Sequence, residues 1–311
     1  MINRALIRIK VLQIVFAYYQ KDLKDLRVAE NELLLSLRRS CDLYHYFLLL
    51  IVDVTRMYER VIDAKRNKYR PSDEELNPDL RLLNNRLAGQ IAENEELEKY
   101  AKQHGISWDD ATGFVKKMLE MILASDVYAD YLKNETDSYE VDKEFWRLVF
   151  KRIISNNEFV EDYLEEKSIY WNDDVDIVES FVVKTIKRFE AHAGKTQQLL
   201  PMFHSNDDND FVIQLFRQTI LHGDEYREII DRHTKNWESE RVANMDLVIM
   251  QVAVAEIMNF PSIPVSVTLN EYIDAARYYS TPKSSSFING VLDSIIEELK
   301  KENRLLKGSA S

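Results

Sequence analysis

The most apolar stretch of the chain predicts a buried central helix. Between Val242 and Met258 the only charged residues are Asp246 near the start and Glu256 near the end. Apolar residues fill nearly every face of this stretch at 3.6 residues per turn, which is typical of a helix wrapped by other helices. Pro261 follows closely and ends the helix, because proline lacks the backbone N–H that the next turn needs. A stretch this short, with a charge at each end, favours burial in protein over a bilayer span.

Two more helices are predicted after this one. Thr268 and Glu271 have the spacing of a capping box, in which each side chain satisfies a free backbone donor at a helix start. The first of these helices is therefore expected to open at Thr268 and to run through Tyr279. A polar break follows over residues 280–286. The last helix is expected to begin at Phe287 and to end near residue 306.

An apolar stripe also predicts a helix at the beginning of the chain, over residues 2–20. Its first turns carry Arg4, Arg8 and Lys10, and no acid precedes Asp22. Arg4 and Arg8 are four residues apart and therefore share a helix face. The residues alone are compatible with a solvated basic face and with a phosphate-binding surface.

Long helical patterns continue over residues 26–68 and end in the basic cluster Lys65-Arg66-Asn67-Lys68-Tyr69-Arg70. Basic residues interleaved with a tyrosine suit a nucleic-acid surface, and a basic helix end favoured by the helix dipole is an equally good interpretation. Further along, four residues recur at an offset of 66 residues, so the middle of the chain is either a diverged helical duplicate or an unrelated bundle. The matching pairs are Phe145 and Phe211, Phe150 and Phe216, Ile154 and Ile220, and Trp171 and Trp237.

Composition agrees with an all-α fold. The 311 residues include only 7 Gly and 6 Pro, and no alternating strand pattern interrupts the helical ones. The net charge of -12 is unevenly distributed: residues 1–70 carry 14 Lys and Arg against 8 Asp and Glu. Because local basic patches govern phosphate binding, the acidic remainder predicts weak non-specific binding and does not exclude RNA.

Few features point to covalent chemistry. Cys41 is the single cysteine, which excludes an intrachain disulfide and suits a reducing cytoplasm. The six histidines show no helical pairing of the kind metal sites use, and the seven glycines form no phosphate-binding loop. The charged N-terminal residues argue against a signal peptide. We therefore expect a cytoplasmic protein that is not an enzyme and has no membrane segment, metal or cofactor.

Four ordered pieces in the last third of the chain carry a family resemblance. They are W-x3-R from Trp237, an apolar helix ending Ala-Glu-Ile, the run I-P-V-x-V-x-L-N-E from Ile263, and S-F-I-N-G-V-L-D from Ser286. This set, within residues 211–299, resembles the second half of NusB, the bacterial transcription antitermination family. The opening helix is similar to the arginine-rich start of that family, although its arginine run is thinner. A fusion of a NusB-like domain to an RNA cytosine methyltransferase would require a cofactor-binding domain and catalytic cysteine chemistry, for which this sequence gives no sign.

The resemblance implies a binding site. In the family, the arginine-rich start and the segment matching Phe287 contact the boxA RNA element, which makes the predicted RNA-binding residues Arg4, Arg8, Lys10, Lys283, Phe287 and Asn289. Asp246 corresponds to an acidic position through which the family pairs with NusE, a small-subunit ribosomal protein. Without the resemblance, Phe287 is equally well a core residue, Asn289 a local cap and Asp246 a helix-start acid favoured by the dipole.

The resemblance also implies an organisation and a function. Residues 1–20 would be the first helix of an all-α, NusB-like bundle, 21–204 a helical insertion, 205–306 the NusB-like core and 307–311 a disordered tail. The expected function is transcription antitermination: binding boxA-like single-stranded RNA with NusE and supporting the RNA polymerase elongation complex on ribosomal RNA operons. The alternative is a helical protein–protein adaptor that has lost RNA binding.

Overall fold

The computed structural model describes residues 1–203, 205–234 and 244–305. Within these ranges the chain forms fifteen α-helices and no β-strand beyond one isolated bridge between Ile2 and Phe203. The all-α prediction is therefore confirmed. Trp237 and its W-x3-R motif, and the predicted tail 307–311, lie outside the described residues.

The helix bounds are as follows. They are α1 (Arg4–Gln20), α2 (Leu26–Arg66), α3 (Asp73–Leu76), α4 (Arg86–Ala92), α5 (Glu95–His104), α6 (Thr112–Leu123), α7 (Asp126–Lys133), α8 (Tyr139–Val149), α9 (Glu158–Lys167), α10 (Val175–Arg188), α11 (Asn206–Leu221), α12 (Gly223–Thr234), α13 (Asn244–Asn259), α14 (Val265–Tyr279) and α15 (Ser284–Lys301). A π-helical segment, Phe150–Ile154, continues α8.

The chain divides into two compact units. The first unit contains Met1 and residues 38–202, and the second unit contains residues 2–37 together with the described residues from Phe203 onward. Helix α2 contributes residues 26–37 to the second unit and the rest of its length to the first.

Helix α13 forms the centre of the second unit, where it packs against α1, α11, α12, α14 and α15. Every residue from Val248 to Ile257 is buried. A helix that is apolar on all faces removes most side-chain area from water only when helices cover it on every side. The position predicted for this helix agrees with α13 over its described part.

The two helices after α13 begin earlier than predicted. Helix α14 begins at Val265, one turn before Thr268, with Pro264 as its N-cap. Proline suits this position because its fixed φ is already helical and its missing N–H is not needed in the first turn. The capping box predicted from Thr268 and Glu271 is therefore wrong. Helix α15 begins at Ser284, three residues before Phe287, and ends at Lys301.

The first unit has a core rich in aromatic side chains. Helix α8 packs against α4, α7 and α10, and Trp146 on α8 is 1% exposed. On α2, the Tyr46 ring stacks on Trp108 at 3.8 Å, and the indole N–H of Trp108 donates to the Tyr46 carbonyl. Tyr44 is fully buried and its hydroxyl lies 2.7 Å from that of Thr185 on α10. Residues 38–66 of α2 thus contribute to this core.

In the part of the chain that the structure describes, no helix combines the length and the apolar character that crossing a membrane requires.

Candidate nucleic-acid interface

Arg8 is buried and ion-paired inside the second unit. Its side chain is 4% exposed and its guanidinium donates two hydrogen bonds to Glu256, from Nε at 2.8 Å and from Nη2 at 2.9 Å. Nη1 lies 3.3 Å from the carboxylate of Glu271. Burial acts to lower the pKa of Arg8, but the hydrogen bonds and charge of Glu256 more than offset this, so its pKa lies above the ordinary value. Arg8 is thus held as a cation by α13.

Glu256, which is fully buried, accepts four hydrogen bonds. Besides the two from Arg8, its oxygens accept from the Thr268 hydroxyl at 2.7 Å and from the Tyr272 hydroxyl at 3.0 Å. Burial and the adjacent Glu256 charge raise the pKa of Tyr272 well above its ordinary value, so it remains a donor. A buried carboxylate whose oxygens all accept hydrogen bonds is tolerated in a core. This network joins α1, α13 and α14.

The other basic residues of α1 have different surroundings. The side chain of Arg4 is 39% exposed; its Nε lies 3.2 Å from Asp208, and its guanidinium lies over the Phe211 ring at 5.1 Å. Lys10 is 1% exposed. Arg4 is therefore the one of the three predicted basic residues, Arg4, Arg8 and Lys10, that reaches solvent. Direct phosphate contact by Arg8 or Lys10 would require these side chains to leave the core.

Asp246, at the beginning of α13, is buried and binds the turn between α14 and α15. It is 3% exposed. Its carboxylate accepts hydrogen bonds from the hydroxyls of Ser280 and Ser284, the latter at 2.8 Å. The Ser284 hydroxyl also lies 2.8 Å from that of Thr281. Asp246 thus fixes the position of the turn that precedes α15, and its own oxygens do not face solvent.

The remaining predicted residues are on or beside the first turns of α15. Lys283 is exposed, and its carbonyl accepts the N–H of Phe287, which is half-buried. Residues four apart at a helix start are neighbours on one face. Asn289 follows Phe287 by two residues, about 200° around the helix, and its amide donates to Asp293 at 3.2 Å. The structure therefore brings Lys283 and Phe287 together and directs Asn289 elsewhere.

The predicted RNA-binding residues fall into two groups at opposite ends of α13. Asp246 and Glu256 are ten residues apart on this helix, which corresponds to about 15 Å at 1.5 Å per residue. Ser284 contacts the first and Arg8 contacts the second. The basic residues of α1 accordingly lie near the end of α13, and the residues at the start of α15 lie near its beginning.

Tyr278, at the end of α14, was not predicted as a site residue. Its side chain is 86% exposed, and it precedes Lys283 by five residues, which limits the separation of their Cα atoms to about 18 Å. An exposed aromatic ring is the kind of group on which nucleic-acid bases stack. The tyrosine pair at 278–279 was visible in the sequence, but the pattern alone did not tell which ring faces solvent.

Comparison with known proteins identifies the family. A family model described as the NusB family matches residues 174–297. This match begins inside the range that the sequence pattern had assigned to the insertion, 21–204. No solved structure matches the chain.

Curated relatives agree with the family model. The transcription antitermination protein NusB of Salinibacter ruber is 36% identical over 132 residues, which are 40% of this chain and 82% of the relative. The protein of the same name from Finegoldia magna is 41% identical over 102 residues, 33% of this chain and 73% of the relative. The protein of the same name from Koribacter versatilis is 42% identical over 94 residues, which are 30% of this chain and 64% of the relative. The chain belongs to the NusB family of transcription antitermination proteins.

Proposed function

We propose that this protein is an RNA-binding antitermination factor that acts by binding and not by covalent catalysis. In this proposal it binds boxA-like single-stranded RNA together with NusE and supports the RNA polymerase elongation complex on ribosomal RNA operons. Family membership supports the general role. The observation that carries the RNA-binding part is the α14–α15 turn, which follows the exposed Tyr278 and leads into the exposed Lys283 and the half-buried Phe287, so that a cation and two aromatic rings flank or follow one turn.

The buried groups have a positioning role in this proposal. Asp246 holds the turn through Ser280 and Ser284, so it influences NusE docking and RNA contact by fixing that turn. Arg8 holds α1 against α13 and thereby fixes where Arg4 reaches solvent. Lys10, which is also buried, belongs to the same helix core. Asn289, bonded to Asp293, contributes a polar edge on another face of α15.

The burial of Arg8 and Lys10 favours a second candidate function. If the basic start of α1 offers RNA only Arg4, and Arg4 is already paired with Asp208, the chain loses much of the phosphate neutralisation expected from this region. A helical adaptor that binds proteins and has lost RNA binding would show the same loss of exposed cations. The two functions differ in whether the α14–α15 turn binds RNA.

Fluorescence anisotropy with a boxA-like RNA and a scrambled RNA, with and without the cognate NusE and across a salt series, tests the proposal. The variants are Lys283→Ala and Phe287→Ala, and Lys300→Ala is a control that removes the same charge from the far end of α15, where Lys300 is exposed. We expect tighter binding of the boxA-like RNA with NusE, and an affinity loss of about three- to tenfold in the Lys283 and Phe287 variants only. Equal affinity for the scrambled RNA with NusE present would reject this function and leave the adaptor.

A further inference from the structure

The basic cluster at the end of α2 lies in the first unit, far along the chain from the family match at 174–297. Lys65 and Arg66 occupy the last turn of α2, and Tyr69 and Arg70 follow in the exposed segment after it. The helix dipole explains cations in the last turn, because they lie near the unpaired carbonyls. It does not explain the tyrosine and arginine beyond the helix end.

The side chain of Tyr69 is 94% exposed, more than that of any other tyrosine in the described part of the chain. Tyr44, Tyr46 and Tyr58, on the same helix, are at most 8% exposed. The Arg70 guanidinium lies over the Tyr69 ring, 5.6 Å from its centroid. The ring otherwise faces water, so it is accessible to a planar ligand that can stack on it.

The cations of the cluster differ in whether they form an ion pair. Lys68 pairs with Glu75, and its hydrogen bond lowers the pKa of that carboxyl, with a smaller contribution from the charge of Lys65. Within the described part of the chain, Lys65, Arg66 and Arg70 form no ion pair, and all three are exposed. The nearest following acids, Asp73 and Glu74, lie in the first turn of α3, where free backbone N–H groups stabilise them. Three cations beside an exposed ring therefore remain available to an anionic ligand.

We propose that this surface, formed by Lys65, Arg66, Tyr69 and Arg70, is a second RNA-binding site that contacts single-stranded RNA independently of base sequence. The cations neutralise phosphates, and a base stacks on Tyr69. An acidic peptide would pair with the cations but would have no planar group to cover the ring. The inference rests on the proposed RNA-binding function only for the choice of ligand, since the two surfaces share no residue.

The test is anisotropy of the full chain with a labelled oligouridine of about twelve nucleotides, a length within the range that single-strand binding sites cover. The variants are Tyr69→Ala, Tyr69→Phe and the triple change Lys65→Ala/Arg66→Ala/Arg70→Ala. The matched control, Lys116→Ala/Lys117→Ala/Lys133→Ala, removes three exposed cations from the same unit.

We expect the triple variant to weaken binding at least tenfold at low salt and to reduce the slope of log affinity against log salt by about 2, since each phosphate contact contributes about 0.7. Tyr69→Ala should weaken binding at least about fivefold, and Tyr69→Phe, which keeps the ring, by less than about twofold. The control should change little. Photo-crosslinking with 4-thiouridine RNA should label the peptide that contains Tyr69.

Unchanged affinity in the Tyr69→Ala and triple variants, or an equal loss in the control, would overturn the proposal. Competition by polyglutamate with no effect of Tyr69→Ala would also overturn it, because the surface would then bind any polyanion through its cations alone. The variants Lys283→Ala and Phe287→Ala separate this result from the proposed function. They should reduce the preference for boxA-like RNA and leave oligouridine binding at the α2 end unchanged.

Discussion

Arg8 and Glu256, 248 residues apart in the chain, form a buried ion pair with two parallel hydrogen bonds of 2.8 and 2.9 Å. The pair joins the first helix of the second unit to its central helix. Because Arg8 is 4% exposed and Glu256 is fully buried, water cannot replace either partner. Arg8 is thus a positioning residue for α1.

Replacing Arg8 with Met keeps most of the side-chain volume and leaves the Glu256 charge buried without its cation. We expect Arg8→Met to reduce the free energy of unfolding by about 3–5 kcal/mol, as is usual when one partner of a buried pair is removed. Chemical denaturation, followed by far-UV circular dichroism, would measure this loss.

Arg217→Met is the matched control, since Arg217 forms a similar two-bond pair with Glu30 on an exposed face. The denaturation midpoint of the Arg217→Met variant should stay near that of wild type. Changing both partners, Arg8→Met/Glu256→Leu, should recover part of the lost stability, because no unpaired charge then remains in the core. An Arg8→Met variant as stable as Arg217→Met would contradict the importance of the pair.

Asp246→Ala should loosen the turn between α14 and α15. The change removes the acceptor for the Ser280 and Ser284 hydroxyls in a buried place, so we expect a loss of about 2–4 kcal/mol. Hydrogen exchange should show faster exchange at the backbone amides of Thr281, Lys283 and Ser284. Asp274→Ala, which removes an exposed carboxylate from α14, should leave both stability and exchange unchanged. Slow exchange in Asp246→Ala would show that the turn holds without this carboxylate.

Local sequence patterns predicted the helices of the second unit well. The uninterrupted apolar face of α13 requires a central position, and Pro261 marks its end. The start of α14 was predicted one turn late, because the capping-box spacing of Thr268 and Glu271 is a local signal that also arises by chance. In the structure α14 begins at Val265 with Pro264 as its N-cap, Thr268 donates to Glu256, and Glu271 pairs with Arg8.

The local sequence pattern could not predict the surroundings of the basic residues on α1. Arg4 and Arg8 share a helix face, but α1 is covered by α11 and α13 along much of that face. Whether a cation there is solvated depends on a carboxylate that α13 supplies from a distant part of the chain. The same limit applies to Tyr278, whose exposure is decided by how α14 ends and packs.

Gly223→Ala should strain the contact between α1 and α12. A Cβ at this position would lie 2.7 Å from the Tyr19 hydroxyl oxygen, and the Tyr19 ring is held beneath the Arg227 guanidinium at 4.5 Å. We expect a loss of about 1–2 kcal/mol from overpacking. Thermal unfolding of Gly223→Ala, Tyr19→Phe and the double variant would test it. Removing the hydroxyl should restore most of the lost stability in the double variant.

Gly290→Ala is the control for this substitution. Gly290 lies inside α15, and nothing lies within 4 Å of an added Cβ. Alanine should stabilise the helix there by about 0.5–1 kcal/mol. If Tyr19→Phe fails to relieve the Gly223→Ala loss, the hydroxyl contact is not its cause.

Glu179 on α10 gives the stability of the first unit a specific dependence on pH. The side chain is 4% exposed, and its Oε1 has no hydrogen-bond partner among the described residues. Burial raises the pKa of Glu179 to about 7, from an ordinary value of 4.5. Between these values the folded protein retains a proton that the unfolded chain releases, so the free energy of unfolding falls as pH rises. The total loss is about 3 kcal/mol at 1.36 kcal/mol per pKa unit.

Glu179→Gln should remove this loss, because the amide has no charge to bury. We expect the stability of the variant relative to wild type to increase progressively from pH 5 to pH 7 and to stay higher above pH 7. Urea denaturation at each pH would measure this difference. Burial lowers the pKa of His45 to about 4, which gives the opposite slope below pH 6.5. His45 is present in both proteins, so its contribution cancels in the difference. Glu166→Gln, at an exposed site, should show no such trend. A difference between Glu179→Gln and wild type that is constant from pH 5 upward would show that Glu179 is already ionised in the folded protein at pH 5 and would contradict the raised pKa.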